Sequence, residues 1–306
     1  MKCKPCGQPA VIDIPRHRAA FCADCFSAHC REQVRRAISS HRMMGHSERI
    51  LVAISGGKDS LALWHILVAL GYNVDGVYLG LGIGDYSDTS RDYAERFAQA
   101  NGLTLHVVDI PDEHGFAIPE AARATKRVPC SACGLSKRHL LNRAALDGGY
   151  DVLATGHNLD DEAAVLFGNV LQWQVGYLAR QRPVLAATPG FARRVKPLIR
   201  MGERETAAYC VVNRIDYLVD ECPMAAGNKH LRYKETLNAM EERSPGVKAT
   251  FYLKFLDEML PLLDDVAADE RALVGVCGRC GSPSSATVCA FCTLVERVGF
   301  APETAR

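Results

Sequence analysis

Residues 49–70 constrain this chain more than any other stretch of it. Residues 49–54 (RILVAI) form an apolar, β-branched run expected to be a buried parallel strand. Residues 59–70 (DSLALWHILVAL) are expected to be a helix, apolar on several faces and stopped at Gly71. Between them stand Ser55, Gly56, Gly57, Lys58, Asp59 and Ser60. A strand, a tight glycine turn and a helix N-terminus make an anion site, because unpaired N–H groups point at the ligand and the helix dipole favours negative charge. The two glycines let the backbone close on a phosphate, while Ser55, Ser60 and Lys58 add hydroxyl and ammonium donors. The bland alternative is an ordinary strand-to-helix turn with a Ser and Asp cap. The spacing is not that of the Walker loop, which sets four residues between its glycines ahead of the lysine.

The chain beyond this turn alternates strand and helix, as a doubly wound, mainly parallel α/β sheet does. Strands are expected at 74–81, 103–110 and 151–155, and helices at 87–101 (capped near Ser87 or Asp88 and stopped by Gly102) and 159–171. Ligands of such sheets bind beyond the carboxyl ends of the strands, which puts the glycine turn, residues 80–84 and Gly156 on one rim. Just after Gly156 come His157, Asn158, Leu159, Asp160, Asp161 and Glu162. Three acids at a helix start complement the dipole, and at that rim they are also placed to hold the magnesium that accompanies ATP phosphates.

Thirteen cysteines in 306 residues are many for a reducing compartment, where Cys-x-x-Cys pairs point to metal before disulfide. Cys3, Cys6, Cys22 and Cys25 have four-cysteine zinc spacing, and Cys277, Cys280, Cys289 and Cys292 have that of a zinc ribbon. His29 and Cys30 read as finger-edge residues, and Cys210 as a buried core thiol. Cys130 and Cys133, with a lone later Cys222, form a set of three with no obvious fourth ligand. Three thiolates leave one coordination position open. An iron–sulfur cluster, a redox disulfide, a persulfide carrier and a zinc site all remain readings of that trio.

The formal net charge of +1 hides local asymmetry. Residues 31–49 are basic. Residues 172–204 read as an irregular, mobile basic loop suited to a polyanion, with no acid before Glu203. Residues 229–243 and 247–263 read as amphipathic helices, and residues 257–270 are acidic. No run of about 18 apolar residues occurs and the N-terminus lacks the apolar core of a signal peptide, so a soluble, cytoplasmic protein is expected, away from membranes. The domain reading is an N-terminal zinc finger at 1–30, a catalytic domain with linker helix at 31–270, and a C-terminal zinc ribbon at 271–306.

The hexapeptide Ser55 to Ser60 resembles the PP-loop, SGGxDS, of the adenine-nucleotide α-hydrolase superfamily in all six positions. Residues 155–164 are similar to the TGHNxDDxAE segment of PP-loop tRNA-modifying enzymes, with Ala164 in place of the final Glu. Together with the central cysteines and a finger at each end, the chain resembles the TtuA-type group of tRNA 2-thiouridine synthetases along nearly its whole length. That resemblance implies ATP binding by Ser55, Gly56, Gly57, Lys58, Asp59, Ser60 and Gly156, and a [4Fe–4S] cluster on Cys130, Cys133 and Cys222. It implies two structural Zn²⁺ ions, Mg²⁺ with the nucleotide, and catalytic roles for Lys137 and Asp161 beside Cys130 and Cys222. It further implies a tRNA substrate thiolated at C2 of uridine 54, a ubiquitin-like sulfur carrier ending in a thiocarboxylate, and a homodimer. Wobble-uridine or cytidine thiolation and amide-forming PP-loop ligation are the rival activities. An RNA-binding zinc protein without catalysis would need neither the intact PP-loop nor the GHNLDDE segment.

Overall fold

The computed structural model describes residues 1–225, 229–266 and 275–299. The centre is a six-stranded sheet of β3 (Arg49–Ile54), β4 (Asn73–Gly80), β5 (Leu105–Asp109), β6 (Val152–Thr155), β7 (Val184–Leu185) and β8 (Arg193–Val195). Their spatial order is β5-β4-β3-β6-β8-β7, and every pairing is parallel except that of β7 with β8. The chain therefore winds outward from β3 in one direction through β4 and β5. It then restarts at β6 on the other side. Ile50 pairs with Val74 on one side and Val152 on the other, so the reversal lies between β3 and β6. That is the crevice where doubly wound sheets bind ligands.

Alternation along β3 feeds two cores. Ile50, Val52 and Ile54 point to one face, together with Trp64, Leu61 and Leu67 of α2 (Lys58–Ala69), while Leu51 points to the other with Val77 and Leu153. The first face also takes apolar residues of α1 (Ala23–His41) and of α3 (Gly84–Asn101). On the second face lie α4 (Ile110–His114), α5 (Ile118–Thr125) and α6 (Pro129–Asp147). Helix α7 (Leu159–Leu171) follows β6 and packs on the first face, and α8 (Val175–Ala179) leads on to the β7/β8 hairpin. Then come α9 (Glu203–Val212), α10 (Lys229–Arg243) and α11 (Val247–Lys254).

The terminal modules sit on opposite faces. The hairpin of β1 (Ile12–Ile14) and β2 (Ala19–Phe21) adds Ile12, Ile14 and Phe21 to the first core. Residues of β9 (Gly275–Val276), β10 (Pro283–Ser284) and α12 (Ala290–Gly299) form the ribbon, whose Phe291 and Leu294 enter the second core. Helix α1 runs unbroken from the finger through residue 30 into the basic stretch. The boundary read at residues 270 and 271 lies outside the described residues. No helix among the described residues is long and apolar enough to cross a membrane.

Several expectations need correction. Helix α3 begins at Gly84, three residues before the expected cap, because the Ser87 hydroxyl turns back to accept from the Ile83 N–H at 2.9 Å. The 172–204 stretch is not irregular throughout: it contains α8, β7 and β8, and three of its cations are paired with acids distant in sequence. Arg182 bonds Asp264, Arg193 bonds Glu48, and Lys196 reaches Glu162 at 2.8 Å. The expected helix over 247–263 ends as α11 at Lys254, continues through one π turn at Phe255–Met259 and tightens to a 3-10 turn at Leu260–Leu263. Pro261 has no N–H to continue the ladder.

Candidate functional site

The glycine turn lies at the carboxyl end of β3, with Gly56 at φ +72 and Gly57 as the N-cap of α2. A Cβ on Gly56 would stand 2.2 Å from the Ser90 carbonyl oxygen, so only glycine fits. Ser60 ties the turn together: its hydroxyl accepts from the Ser55 N–H at 3.1 Å and donates to the Gly57 carbonyl at 3.0 Å. The Gly156 backbone closes against the same helix start, where a Cβ would meet the Ser60 nitrogen at 3.0 Å. Residue 218 also joins the turn, its N–H donating to the Gly56 carbonyl at 2.9 Å in a parallel bridge with Gly57.

The three acids of the GHNLDDE segment separate, because successive helical residues point about 100° apart. Asp160 is buried and paired with Lys248, and it accepts the Glu203 backbone N–H at 2.8 Å. Glu162 is buried against Lys196 and the Tyr252 hydroxyl. Both are internal counter-ions. Only Asp161 turns to the rim, with Oδ2 accepting the Asn158 N–H at 3.1 Å and Oδ1 held by Lys234 at 2.6 Å. Asn158 reciprocates as N-cap and donates through Nδ2 to Asp59 at 3.0 Å. Ala164, the departure from the resembling segment, is buried in the first core, where an unpaired carboxylate would be costly.

Asp59 also accepts from the Thr206 hydroxyl at 2.5 Å. Lys58 lies between Asp59 at 3.2 Å and Glu203 at 2.8 Å, and Glu203 in turn meets Lys234 at 3.2 Å. Burial alone would draw the Lys58 and Lys234 ammoniums down, yet their acid partners outweigh it and both stand above the ordinary lysine range. Burial likewise works to raise Glu203, but Lys58 and Lys234 bring its carboxyl below the usual value. Thr206, Glu203 and Lys234 were not found from the sequence. Glu203 opens a helix after Gly202, a weak local signal, and nothing local marks Lys234.

Cys130 and Cys133 stand at the start of α6, as its second and fifth residues. Cys222 and Met224 come alongside, and the Cys130 thiol points to the Met224 carbonyl at 3.6 Å. Burial pushes the Cys133 thiol up, opposed by the charge of Lys137 one turn along the helix. Lys137 also lines a cavity with Ser55, Ile54, Leu79, Tyr86 and Ser90. One side chain thus faces both the thiol group and the glycine turn. Tyr86, whose hydroxyl is pushed up by burial and by the neighbouring Cys222, is a further rim residue that sequence reasoning missed.

The terminal cysteines assemble as expected. Each set of four, Cys3, Cys6, Cys22 and Cys25, and Cys277, Cys280, Cys289 and Cys292, gathers its sulfurs within 4.8 Å. The Cys6–Cys22 and Cys280–Cys289 sulfurs are 3.6 and 3.7 Å apart. A tetrahedral Zn²⁺ with bonds of about 2.3 Å needs roughly 3.8 Å between sulfurs, so both donor sets fit that ion. The Cys130, Cys133 and Cys222 sulfurs do not form such a compact set. Cys30 is buried outside the finger's set and His29 stacks on Phe21. Cys210 is the core thiol expected, pushed up to about 12 by burial.

Residues 2–27 match the model of the 2-thiouridine synthetase TtuA N-terminal LIM domain, and residues 27–234 match that of the PP-loop domain. A tRNA-5-methyluridine(54) 2-sulfurtransferase of Thermus thermophilus is 48% identical over 97% of this chain and 92% of its own length. The chain belongs to the TtuA branch of the PP-loop family. A second TtuA-type relative, the tRNA-5-methyluridine(54) 2-sulfurtransferase of Pyrococcus horikoshii, is 40% identical over 95% of this chain and 93% of its own. Among solved structures, the U34-tRNA thiolase NcsA from Methanococcus maripaludis with its [4Fe-4S] cluster superposes with a TM-score of 0.83. It is 26% identical and covers 98% of this chain and 97% of its own. The TtuA-type fold of this chain is thus a PP-loop sheet between two cysteine modules.

Proposed function

We propose that this chain is an ATP-dependent tRNA 2-thiouridine synthetase acting on the uridine or 5-methyluridine at position 54. The observation that carries the reading is Lys137, which stands beside Cys133 and also lines the cavity formed with Ser55. A phosphate cradle alone would fit any PP-loop enzyme; a lysine shared with a cysteine trio calls for sulfur chemistry next to the nucleotide. The 48% identity to a 5-methyluridine(54) enzyme supports the position.

The uracil C2 carbonyl is a poor electrophile, so its oxygen must first become a leaving group. In the first step, O2 attacks the α-phosphorus of ATP, an O–P bond forms, and pyrophosphate leaves with the electrons of the broken P–O bond. The glycine-turn N–H groups and Lys58 take up the developing charge. A sulfur nucleophile then attacks C2, and the C2–O2 bond breaks to release AMP. Lys137 offsets the charge that builds on ring nitrogen N3 as sulfur adds to C2, and on the AMP oxygen as the C2–O2 bond breaks, and Asp161 is the carboxylate that would hold a metal ion beside the phosphates. Mg²⁺ at Asp161 would supply charge neutralisation of the departing pyrophosphate. A [4Fe–4S] cluster on Cys130, Cys133 and Cys222 would supply an iron with an open position for exogenous sulfur. Three thiols gathered where Cys222 meets the start of α6 are a donor set of the kind such a cluster takes. A thiocarboxylated ubiquitin-like carrier as donor, a homodimer and a cytoplasmic setting complete the proposal on family resemblance.

The test is anaerobic purification with iron, sulfide and zinc analysis, followed by nucleoside mass spectrometry of tRNA from a deletion strain complemented with variants. Lys137→Ala and Asp161→Ala are expected to abolish 2-thiolation at position 54 while leaving cluster absorbance intact. Near-normal thiolation in either variant sinks the role assignments. Loss of a wobble-position thionucleoside instead would move the activity to position 34.

A further inference from the structure

Five charged side chains run across the mouth of the glycine turn: Asp59, Lys58, Glu203, Lys234 and Asp161. Their side chains are 21–38% exposed, so a polyanion arriving from solvent can reach them. Two of the five belong to neither sequence motif. Glu203 comes from the first turn of α9 and Lys234 from α10.

An ammonium has three donors, and Lys58 commits two of them to Asp59 and Glu203. A phosphate in the turn takes the third and, by drawing the ammonium toward itself, competes with both carboxylates. Asp59 is pinned from its other side by Asn158 and Thr206, and among the described residues it pairs with no further cation. Glu203 differs: its second oxygen already has Lys234. It can release Lys58 without becoming an unpaired carboxylate. The mouth also holds three carboxylates against two ammoniums, a surplus negative charge that opposes a triphosphate.

We infer that Glu203 is the resting counter-ion of Lys58, and that nucleotide binding is a change of partners. Lys58 leaves Glu203 for phosphate, while Lys234 retains Glu203. Glu203 therefore lowers affinity for nucleotide and returns to Lys58 as pyrophosphate departs. Lys234 acts in the opposite sense, because without it Glu203 has only Lys58 to hold. This inference rests on the reading that residues 55–60 bind ATP. Both residues act through Lys58 and are positioning residues.

The two roles predict opposite signs, which a purely structural part would not produce. Binding of the non-cleavable analogue α,β-methylene-ATP with Mg²⁺ is measured by calorimetry on the full, cluster-loaded chain, alongside Tm. Glu203→Gln is expected to bind at least about threefold tighter, and Lys234→Met at least about threefold weaker, the scale of one half-exposed ion pair. Glu203→Asp, too short to span both lysines, is expected to tighten binding less than Gln. Equal or weaker binding by Glu203→Gln overturns the inference, as does a Tm loss beyond about 5 °C that assigns Glu203 to stability instead. Wild-type chain that binds no analogue would overturn the nucleotide reading itself, and this inference with it.

Discussion

The imidazole of His139 lies flat on the ring of Phe291, centroids 4.2 Å apart and planes 14° from parallel. His139 is on α6, two residues beyond Lys137, and Phe291 is on α12 of the ribbon. The C-terminal module therefore braces the helix that carries Cys130, Cys133 and Lys137. Phe291→Ala should cost about 3 kcal/mol, as deletion of a buried aromatic ring does. Denaturant unfolding at unchanged zinc content checks the loss. Hydrogen exchange should rise along α6 as well as in the ribbon; protection of α6 equal to wild type would refute the bracing role.

The same contact has a pH dependence. Burial holds His139 and His17 at about 4, below the ordinary histidine value of 6.5, with Arg143 and Arg16 respectively adding to the effect. Between those two values the unfolded chain binds protons that the folded chain refuses. The stability is present in full above pH 6.5 and is lost as pH falls toward 4. The denaturant midpoint should drop from pH 7 to pH 5. His139→Phe, which keeps the stack and removes the titration, should drop less at equal zinc content.

Gly56 and Gly57 should respond differently to the same methyl group. Gly56→Ala meets the Ser90 carbonyl and a left-handed φ, whereas Gly57→Ala has nothing nearer than the Ser55 hydroxyl at 3.6 Å. Gly56→Ala is expected to lower Tm sharply and abolish analogue binding, and Gly57→Ala to fold normally. Thermal unfolding of the two variants side by side decides it.

Arg16 ties the finger to the sheet domain. Its guanidinium forks onto Glu205 at 2.6 and 2.9 Å and donates to the Arg200 carbonyl at 2.7 Å. Arg16→Ala leaves a buried carboxylate unpaired and should cost about 3 kcal/mol. Adding Glu205→Gln should recover part of that loss in denaturant unfolding, because the orphaned charge is gone.

The glycine turn, the parallel strands and the two four-cysteine sets were legible because their signals are local: turn chemistry, apolar runs and pair spacing. From the residues themselves the three acids at 160–162 were legible only as a group; it was the family resemblance that singled out Asp161. Which one faces the rim depends on Lys248, Lys196 and Tyr252, all distant in sequence. The basic stretch misled for the same reason. Arg193 and Arg182 read as cations open to a polyanion until Glu48 and Asp264 come into place. Lys234 had no local mark at all, since its meaning comes wholly from where α10 packs.

The bridge between Gly57 and Leu218 has a mechanical meaning. Only four peptide units separate Leu218 from Cys222, a leash of at most about 14 Å. Whatever the chain between them does, the glycine turn's partner strand residue and Cys222 can never part by more than that reach.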